Sequence, residues 1–352
     1  MKVRDDKFDF YKGMLMLGVV WGHTITALKY GSSEPSWILS FFRTYDMPMF
    51  AFITGIFLKK SIQSHSTMNN IYNKVCLILI PTLIWNIIFN FAIGRFEISF
   101  NEFWFLWAIF ISTMIIIIIE RLFRNYKLIQ FFSLGLMIVI THLGVLDKWN
   151  VGFLLFPCVF GYYYEVLKNK IKKRIDEEIF YLKHCIIILF IIMQCFWTTD
   201  YNVWNTGCNI MTLDTPIITG IIICYRGIMG IIGSIFMMML FTIIYEVLCR
   251  SKYPQMHKVV NGLVQVGKST LEIYILQSIF VSSYGATIVK KITGILGKNP
   301  FTYNINLLDV FMAPLISAIS IYLIYLIKIY VCKIPYVGDI IFGIRLVNSN
   351  KR

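Results

Sequence analysis

Long, nearly unbroken runs of apolar residues dominate the chain and are separated by short polar stretches. Residues 107–119 and 217–248 are two of these runs. A helix needs about 20 mostly apolar residues to cross a bilayer. Lipid offers no hydrogen-bond partner to an open backbone, so runs of this length must form helices. The pattern therefore predicts an all-α fold, a polytopic transmembrane helical bundle.

We predict about ten transmembrane helices, which form a single transmembrane domain over residues 1–352. The predicted spans are residues 11–28, 38–58, 75–93, 103–119, 128–146, 151–166, 179–197, 230–248, 270–289 and 307–331. The run at residues 217–248 is too long for one span. Its first part is therefore predicted to form a surface or re-entrant helix that ends near Arg226.

Composition supports a membrane protein and explains its positive charge. Hydrophobic residues make up 57% of the chain and charged residues only 15%, too few to cover a soluble globule of this size. Most of the 33 lysines and arginines fall at the chain ends and in alternate connections between the predicted spans. Cytoplasmic loops collect Lys and Arg, so this distribution places both termini in the cytoplasm and requires an even number of helices. The net charge of +14 thus indicates a membrane orientation and no nucleic-acid partner.

The eight cysteines include no CxxC pair and no metal-ligand spacing. Most of them fall inside apolar runs, where cysteine behaves as a small hydrophobic residue. We therefore expect no metal site. The first apolar run carries His23 and lacks a small-x-small cleavage site, so a cleaved signal peptide is not expected either.

Two ionisable residues of the first predicted span lie on one face of the helix. Lys12 is at the cytoplasmic end and His23 lies well inside. Eleven residues at about 100° each return to nearly the same face, at a separation of about 16 Å along the axis. A cation at the cytoplasmic mouth and an imidazole further in suit a long anionic ligand such as an acyl-coenzyme A. The alternatives are a snorkelling interfacial lysine and a histidine bonded within the bundle.

Other ionisable residues also fall inside predicted spans, where a charge is costly and often functional. Arg43 and Asp46 are three residues apart and can form a structural ion pair beside a kink at Pro48, which is the interpretation favoured by their spacing. Glu272 lies one turn inside the ninth span. Three further candidates, for which an interfacial or bundle-stabilising role is expected, are Arg226, Asp309 and His142.

Five short blocks follow one another in a fixed order between residues 9 and 280. They are Asp9 with Lys12-Gly13 and His23; Met47-Pro48-Met49-Phe50 leading to Thr54-Gly55; Lys74 with Pro81 and Trp85; Trp104-Phe105-Leu106-Trp107; and Gly267 to Gln277. In this order the blocks resemble the acyltransferase-3 family of bacterial membrane acyltransferases, in particular the sugar O-acetylases similar to fucose 4-O-acetylase. The chain departs from the family at Lys12, where Arg is frequent, and at Asp46 and Gln277, where His is frequent. His23 is thus the only family-matched histidine within the predicted bundle.

The resemblance implies an O-acyltransferase that moves an acyl group, most often acetyl, from cytoplasmic acetyl-coenzyme A. The acceptor would be a hydroxyl of a cell-envelope glycan or of its lipid-linked precursor, in the bacterial cytoplasmic membrane. His23 would act as general base or carry the acyl group covalently, and both roles stay open. Lys12 would bind a coenzyme A phosphate as a point charge, with Arg43 as a second candidate for phosphate or for developing charge. Further candidates are Asp46 and Glu272 for catalysis and Arg226 for cofactor binding.

A carrier or flippase for a glycan or lipid, without catalysis, is the main alternative, because it also explains buried charges. Transporters commonly contain internal repeats, and none is detected in this sequence. The ordered blocks and the lack of a repeat favour the acyltransferase. A non-catalytic helper in polysaccharide assembly is a third possibility. The O-acetyl content of the envelope glycan, compared with and without the gene, distinguishes the enzyme from both.

Overall fold

The computed structural model describes most of the chain as α-helix, and the described residues contain no β-strand. These residues are 5–29, 36–92, 94, 102–144, 150–172, 176–210, 215–302, 307–334 and 337–342. Of residues 169–172, 176–180, 302, 337 and 339 only the backbone is described. The predicted span ends at residues 93 and 146, and the outermost residues of both termini, lie outside the described part.

The helices are, in chain order, α1 (Asp6–Leu28), α2 (Trp37–Arg43), α3 (Asp46–Ser64), α4 (Thr67–Ala92), α5 (Trp104–Leu122), α6 (Lys127–His142), α7 (Val151–Lys172), α8 (Asp176–Phe196), α9 (Val203–Thr206), α10 (Pro216–Arg250), α11 (Pro254–Lys268), α12 (Thr270–Leu296), α13 (Leu308–Lys333) and α14 (Val337–Phe342). Three of them contain a π-helical stretch: Val75–Leu79 in α4, Ser278–Gly285 in α12 and Leu308–Met312 in α13.

Every predicted span overlaps a helix of this structure. Within the described residues, five helices are long and apolar enough to cross a membrane: α4, α5, α10, α12 and α13. Many large apolar side chains on these helices are exposed, as lipid-facing surfaces require. The prediction of an all-α transmembrane helical bundle is therefore confirmed.

The chain divides into two compact units. Unit 1 consists of Met1–Asp46 and Met237–Phe342, and unit 2 of Met47–Phe236 and Gly343–Arg352. The boundaries fall at the start of α3 and within α10, so α10 contributes to both units. The single domain predicted for residues 1–352 stays a prediction.

The second predicted span, residues 38–58, is not one helix but two. α2 ends at Arg43 and α3 begins at Asp46, with Thr44 and Tyr45 between them. Pro48 explains the break, because a proline ring clashes with the carbonyl four residues earlier, here that of Thr44. Arg43 and Asp46 therefore flank an interruption and do not occupy neighbouring positions of one continuous helix.

The long run at residues 217–248 also differs from the prediction. No surface helix ends near Arg226; α10 continues through this residue from Pro216 to Arg250. Pro216 stands at the helix start, where its missing N–H costs no hydrogen bond, and no proline interrupts the residues that follow. With 35 residues, α10 is about 52 Å long, which exceeds the hydrocarbon core of a bilayer, about 30 Å thick.

α11 was not predicted. Because residues 250–268 include many polar and basic residues, they were predicted to form a cytoplasmic connection. The helix is amphipathic: Val260, Val264 and Gly267 are buried on one side. Gly267 packs against the Asp9 carbonyl of α1, and Gly13 of α1 packs against the Leu263 carbonyl. A Cβ at either glycine would overlap these backbone atoms, so the two glycines allow α1 and α11 to cross closely in unit 1.

A second close crossing lies within unit 2, between α3 and α7. Gly55 of α3 faces the carbonyl of Cys158, and Gly161 of α7 faces the carbonyl of Phe52. Small residues at such positions let membrane helices approach each other, which improves their van der Waals packing. Glycines of three sequence blocks, at positions 13, 55 and 267, thus have a structural role in helix packing.

Candidate functional site

His23 lies in α1 and forms a hydrogen bond to α12. Its Nδ1 is 3.1 Å from the hydroxyl oxygen of Ser282. Ser282 belongs to the π-helical stretch Ser278–Gly285, and π-helical turns are frequent at functional sites. If Nδ1 carries the proton and donates it to Ser282, the other ring nitrogen, Nε2, keeps the lone pair that a general base needs.

Arg43 and Asp46 belong to the same region of unit 1. Arg43 lies close enough to His23 for its charge to act on the imidazole. The carboxylate of Asp46 in turn lies close enough to Arg43 to interact with its guanidinium. The break between α2 and α3 places the two charged side chains at facing helix ends. The structure thus brings together four polar groups in unit 1: His23, Ser282, Arg43 and Asp46.

Lys12 lies on α1, as predicted from its spacing to His23. Its ammonium nitrogen is 2.6 Å from a carboxylate oxygen of Asp9, and the Asp9 side chain is only 3% exposed. Towards the same end of unit 1, three other lysines are also paired with acids: Lys7 with Glu246, Lys268 with Asp6 and Lys328 with Glu272. Acids therefore partly neutralise the lysines at this end of unit 1.

Glu272 does not lie near His23. Its carboxylate is 2.8 Å from the ammonium of Lys328, which also donates a hydrogen bond to Ser269. Ten residues of α12 separate Glu272 from Ser282, which is about 15 Å along a helix. The surroundings of Glu272 are those of an ion pair that ties α12 to α13. Its predicted catalytic role has no support from this geometry.

Arg226 lies in unit 2 and is 2% exposed. Its guanidinium donates to the carbonyl oxygens of Gly207, at 2.6 Å, and Tyr201, at 3.5 Å. The guanidinium also lies over the ring of Phe153, 5.3 Å from its centroid. Residues 198–213, which include two of these partners, contain no Lys or Arg and are predicted to lie outside the cytoplasm. The contacts of Arg226 thus lie in a segment that this orientation places away from cytoplasmic coenzyme A.

Asp309 is completely buried in unit 1. One of its carboxylate oxygens is 3.2 Å from the ammonium of Lys29 and accepts a hydrogen bond from Ser36, while its main-chain carbonyl accepts one from Trp21. The bundle-stabilising role expected for Asp309 agrees with these contacts. The sequence did not identify Lys29 as the partner of Asp309, because Lys29 lies in the connection after α1, 280 residues before Asp309.

A polar network in unit 2 was not predicted. The Tyr162 hydroxyl accepts a hydrogen bond from Lys59, at 2.8 Å, and donates one to Glu120. Gln130 donates to the same carboxylate, and the ammonium of Lys127 is 3.2 Å from it. These residues come from α3, α5, α6 and α7. Each is unremarkable in its own sequence context, so only the fold reveals that they meet.

The comparison with known families decides what kind of protein this is. The model of the acyltransferase-3 family, described as an acyltransferase domain, matches residues 5–329. The chain belongs to the acyltransferase-3 family. It is therefore an integral membrane acyltransferase. The matched residues include parts of both units, so neither unit alone corresponds to the family's domain.

Two curated relatives of this acyltransferase are named nodulation protein NolL. The relative from Sinorhizobium fredii (strain NBRC 101917 / NGR234) is 23% identical over 298 residues, which cover 78% of this chain and 77% of the relative. The relative from Mesorhizobium japonicum (strain LMG 29417 / CECT 9101 / MAFF 303099) is 30% identical over 131 residues, 32% of this chain and 35% of the relative. No solved structure matches the chain.

Proposed function

We propose that this acyltransferase moves an acetyl group from acetyl-coenzyme A to a hydroxyl of a cell-envelope glycan or of its lipid-linked precursor, in the bacterial cytoplasmic membrane. The observation that supports the proposal most directly is the contact between His23 Nδ1 and Ser282. It holds an imidazole in one orientation inside a membrane helix, next to the charge of Arg43. A histidine fixed in this way suits acid–base chemistry on an acceptor hydroxyl.

His23 would act as the general base in the proposed reaction. Nε2 takes the proton from the acceptor hydroxyl while that oxygen bonds to the carbonyl carbon of the acetyl thioester. The carbon–sulfur bond then breaks, and the coenzyme A thiolate leaves and receives the proton from His23. Arg43 is the group of this region that can stabilise the negative charge that develops on the acetyl oxygen. Asp46 would orient the guanidinium.

Lys12 is the proposed contact for a phosphate of the acyl donor. Its side chain is 21% exposed. A lysine ammonium carries three N–H donors, so a contact with Asp9 is compatible with a contact to a phosphate oxygen. The lysine sits on the face of α1 that carries His23, about 16 Å away, and the donor would lie along that face.

A carrier or flippase without catalysis is the competing function, and family membership makes it the weaker one. The variant His23→Ala tests the proposal. A general base contributes about 10²–10⁴ in rate, so acetyl transfer should fall by this factor. The control is His257→Ala, which removes an exposed histidine of α11 in the same unit.

Both variants and the parent would be purified in detergent, their melting temperatures compared, and transfer of labelled acetyl to the envelope glycan measured. The proposal predicts similar melting temperatures, parental activity for His257→Ala and near-complete loss for His23→Ala. If the His23→Ala protein folds and still transfers acetyl at the parental rate, His23 is not the base. If the parent transfers no acetyl, the donor and acceptor proposed here are wrong.

A further inference from the structure

The surroundings of Arg226 contain a positive charge without a carboxylate partner. In the part of the chain that the structure describes, its guanidinium donates hydrogen bonds only to the carbonyls of Tyr201 and Gly207 and to the sulfur of Cys208. A charged side chain within a membrane helix is costly and commonly marks a ligand site. Carbonyl dipoles offset only part of this cost, whereas an anion would neutralise the charge.

Aromatic residues lie beneath the guanidinium and at or next to the residues that it contacts. Phe153 lies beneath it. The indole of Trp197 is stacked with Tyr225, at 6.3 Å between centroids, and meets Tyr201 edge to face, at 6.2 Å. Binding sites for organic ligands are mostly apolar and aromatic, with a few polar groups that fix orientation. Together with Arg226, these four aromatic residues have that composition.

Two polar atoms at the C-terminal end of α8 lack hydrogen-bond partners among the described residues. Within this part of the chain, the indole N–H of Trp197, which directly follows α8, is buried without an acceptor, and the amide oxygen of Gln194, one turn earlier, is buried without a donor. Buried polar groups in native structures are nearly always paired. A purely structural role, in which Arg226 holds residues 201–208 against α10, explains its carbonyl contacts. It does not explain why the Trp197 N–H and the Gln194 oxygen lack partners.

We propose that these residues of unit 2 form a binding site for an anionic saccharide. Its carboxylate or phosphate pairs with Arg226 and replaces the two carbonyl contacts, since arginine matches both anions in geometry. One hydroxyl accepts from Trp197 and another donates to Gln194. A neutral sugar lacks the anion, and a bare anion lacks the sugar hydroxyls proposed to bind Trp197 and Gln194.

Gly207 marks the route to Arg226. Its φ is +73°, and no atom of the described residues lies within 4 Å of the position a Cβ would take, so open space adjoins the residue whose carbonyl Arg226 contacts. The charge distribution places this end of unit 2 outside the cytoplasm. That the saccharide is the acyl acceptor rests on the proposed function, whereas the binding itself does not.

Binding to the parent protein in detergent, measured by calorimetry, tests the inference without any acyl transfer. Four probes are compared: methyl glucuronoside, glucose 1-phosphate, methyl glucoside and inorganic phosphate. At least one of the two anionic sugars should bind at least about tenfold more tightly than methyl glucoside and inorganic phosphate. The tighter of the two identifies the anion as carboxylate or phosphate. Equal binding of all four probes, or no binding, overturns the inference.

Variants then assign the binding to this site. Arg226→Gln should weaken it at least about tenfold, while Arg121→Gln, which removes an exposed cation of α5, should leave it unchanged. Arg226→Gln can fail to fold because its carbonyl contacts are lost. Gln194→Met avoids this problem, because it removes an unpaired acceptor at similar volume. It should keep the parental melting temperature and weaken binding about threefold to tenfold.

A Gln194→Met protein that binds the anionic sugar as the parent does would refute the site. The outcome is independent of the proposed function. A parent that binds the anionic sugar but transfers no acetyl to any glycan would retain the saccharide site and lose the proposed reaction. A parent that transfers acetyl but binds none of the sugars would retain the proposed reaction and refute the saccharide site.

Discussion

A histidine in a membrane helix serves as a base only when one ring nitrogen is held and the other is left to accept a proton. Ser282 is the residue that holds Nδ1 of His23. It touches neither donor nor acceptor in the proposed reaction, so we assign it a positioning role. Its loss would let the ring rotate and would mix the two tautomers, which lowers the fraction of protein with Nε2 ready to accept a proton.

The variant Ser282→Ala tests this role. Loss of a positioning hydrogen bond of about 0.5–1.5 kcal/mol predicts a decrease in kcat of about threefold to tenfold, with an unchanged KM for the acyl donor. Ser282→Thr keeps a hydroxyl and should restore most of the rate. The control is Ser283→Ala, in the same π-helical stretch. A purely structural role would instead lower the melting temperature and affect kcat and KM together.

Helical spacing alone predicted part of the candidate site. Lys12 and His23 fall on one face of α1 because both belong to one continuous helix. Spacing could not predict Ser282, which lies 259 residues further on and reaches His23 through a π-helical stretch. Nor could it predict that Glu272 is paired with Lys328, because the pairing depends on how α12 and α13 pack. Local periodicity therefore finds residues on one helix, and tertiary packing decides their partners.

At the scale of helices, the motif glycines have a physical explanation. Gly13 and Gly267 belong to sequence blocks more than 250 residues apart, yet they face each other where α1 crosses α11. Without a Cβ on either side, the backbones approach closely, which is the main source of helix association in lipid. Asp9, Lys12 and His23 are carried by the helix that this crossing positions.

Gly267→Ala should therefore destabilise the protein. The added methyl group would overlap the Asp9 carbonyl, and such overpacking typically costs about 1–3 kcal/mol. Gly262 lies on the same helix and has no atom within 4 Å of its Cβ position. Gly262→Ala is the matched control and should be neutral or stabilising by about 0.5–1 kcal/mol, because alanine favours helix. Thermal unfolding of the purified variants measures both, and equal melting temperatures would contradict the close crossing.

Sequence patterns predicted the helices better than their interruptions. The apolar runs located a helix for each predicted span, but Arg43 and Asp46 were assigned to one helix and are separated by a break. The clash at Pro48 signals such a break without fixing whether the helix kinks or ends. α11 was missed because its apolar side is narrow and its polar side resembles a loop. Charge and apolar content alone do not separate an amphipathic helix that packs along one narrow side from a connection.

For the whole molecule, the distribution of lysine and arginine predicts an orientation in the membrane. This orientation bears on both proposed sites, the donor contact at Lys12 and the saccharide site at Arg226. It places residues 168–173 in the cytoplasm and residues 198–213 outside. Under this orientation, the Lys12 end of α1 is reached by a cytoplasmic acyl donor. The carbonyl partners of Arg226 then face the opposite side of the membrane. An inverted orientation would deprive Lys12 of its proposed ligand, because coenzyme A is confined to the cytoplasm.

Labelling of single cysteines with a membrane-impermeant reagent tests this orientation. The native cysteines must first be replaced, since four of them are exposed in the structure: Cys185, Cys195, Cys224 and Cys332. Asn205→Cys and Lys168→Cys then report on the two sides, because both positions are exposed, Lys168 in the last turns of α7 and Asn205 in α9. In intact cells Asn205→Cys should be labelled and Lys168→Cys should not, whereas permeabilised cells should label both. Strong labelling of Lys168→Cys from outside would reverse the orientation. Donor binding at Lys12 and an external saccharide site at Arg226 would then both have to be abandoned, even if each variant folds normally.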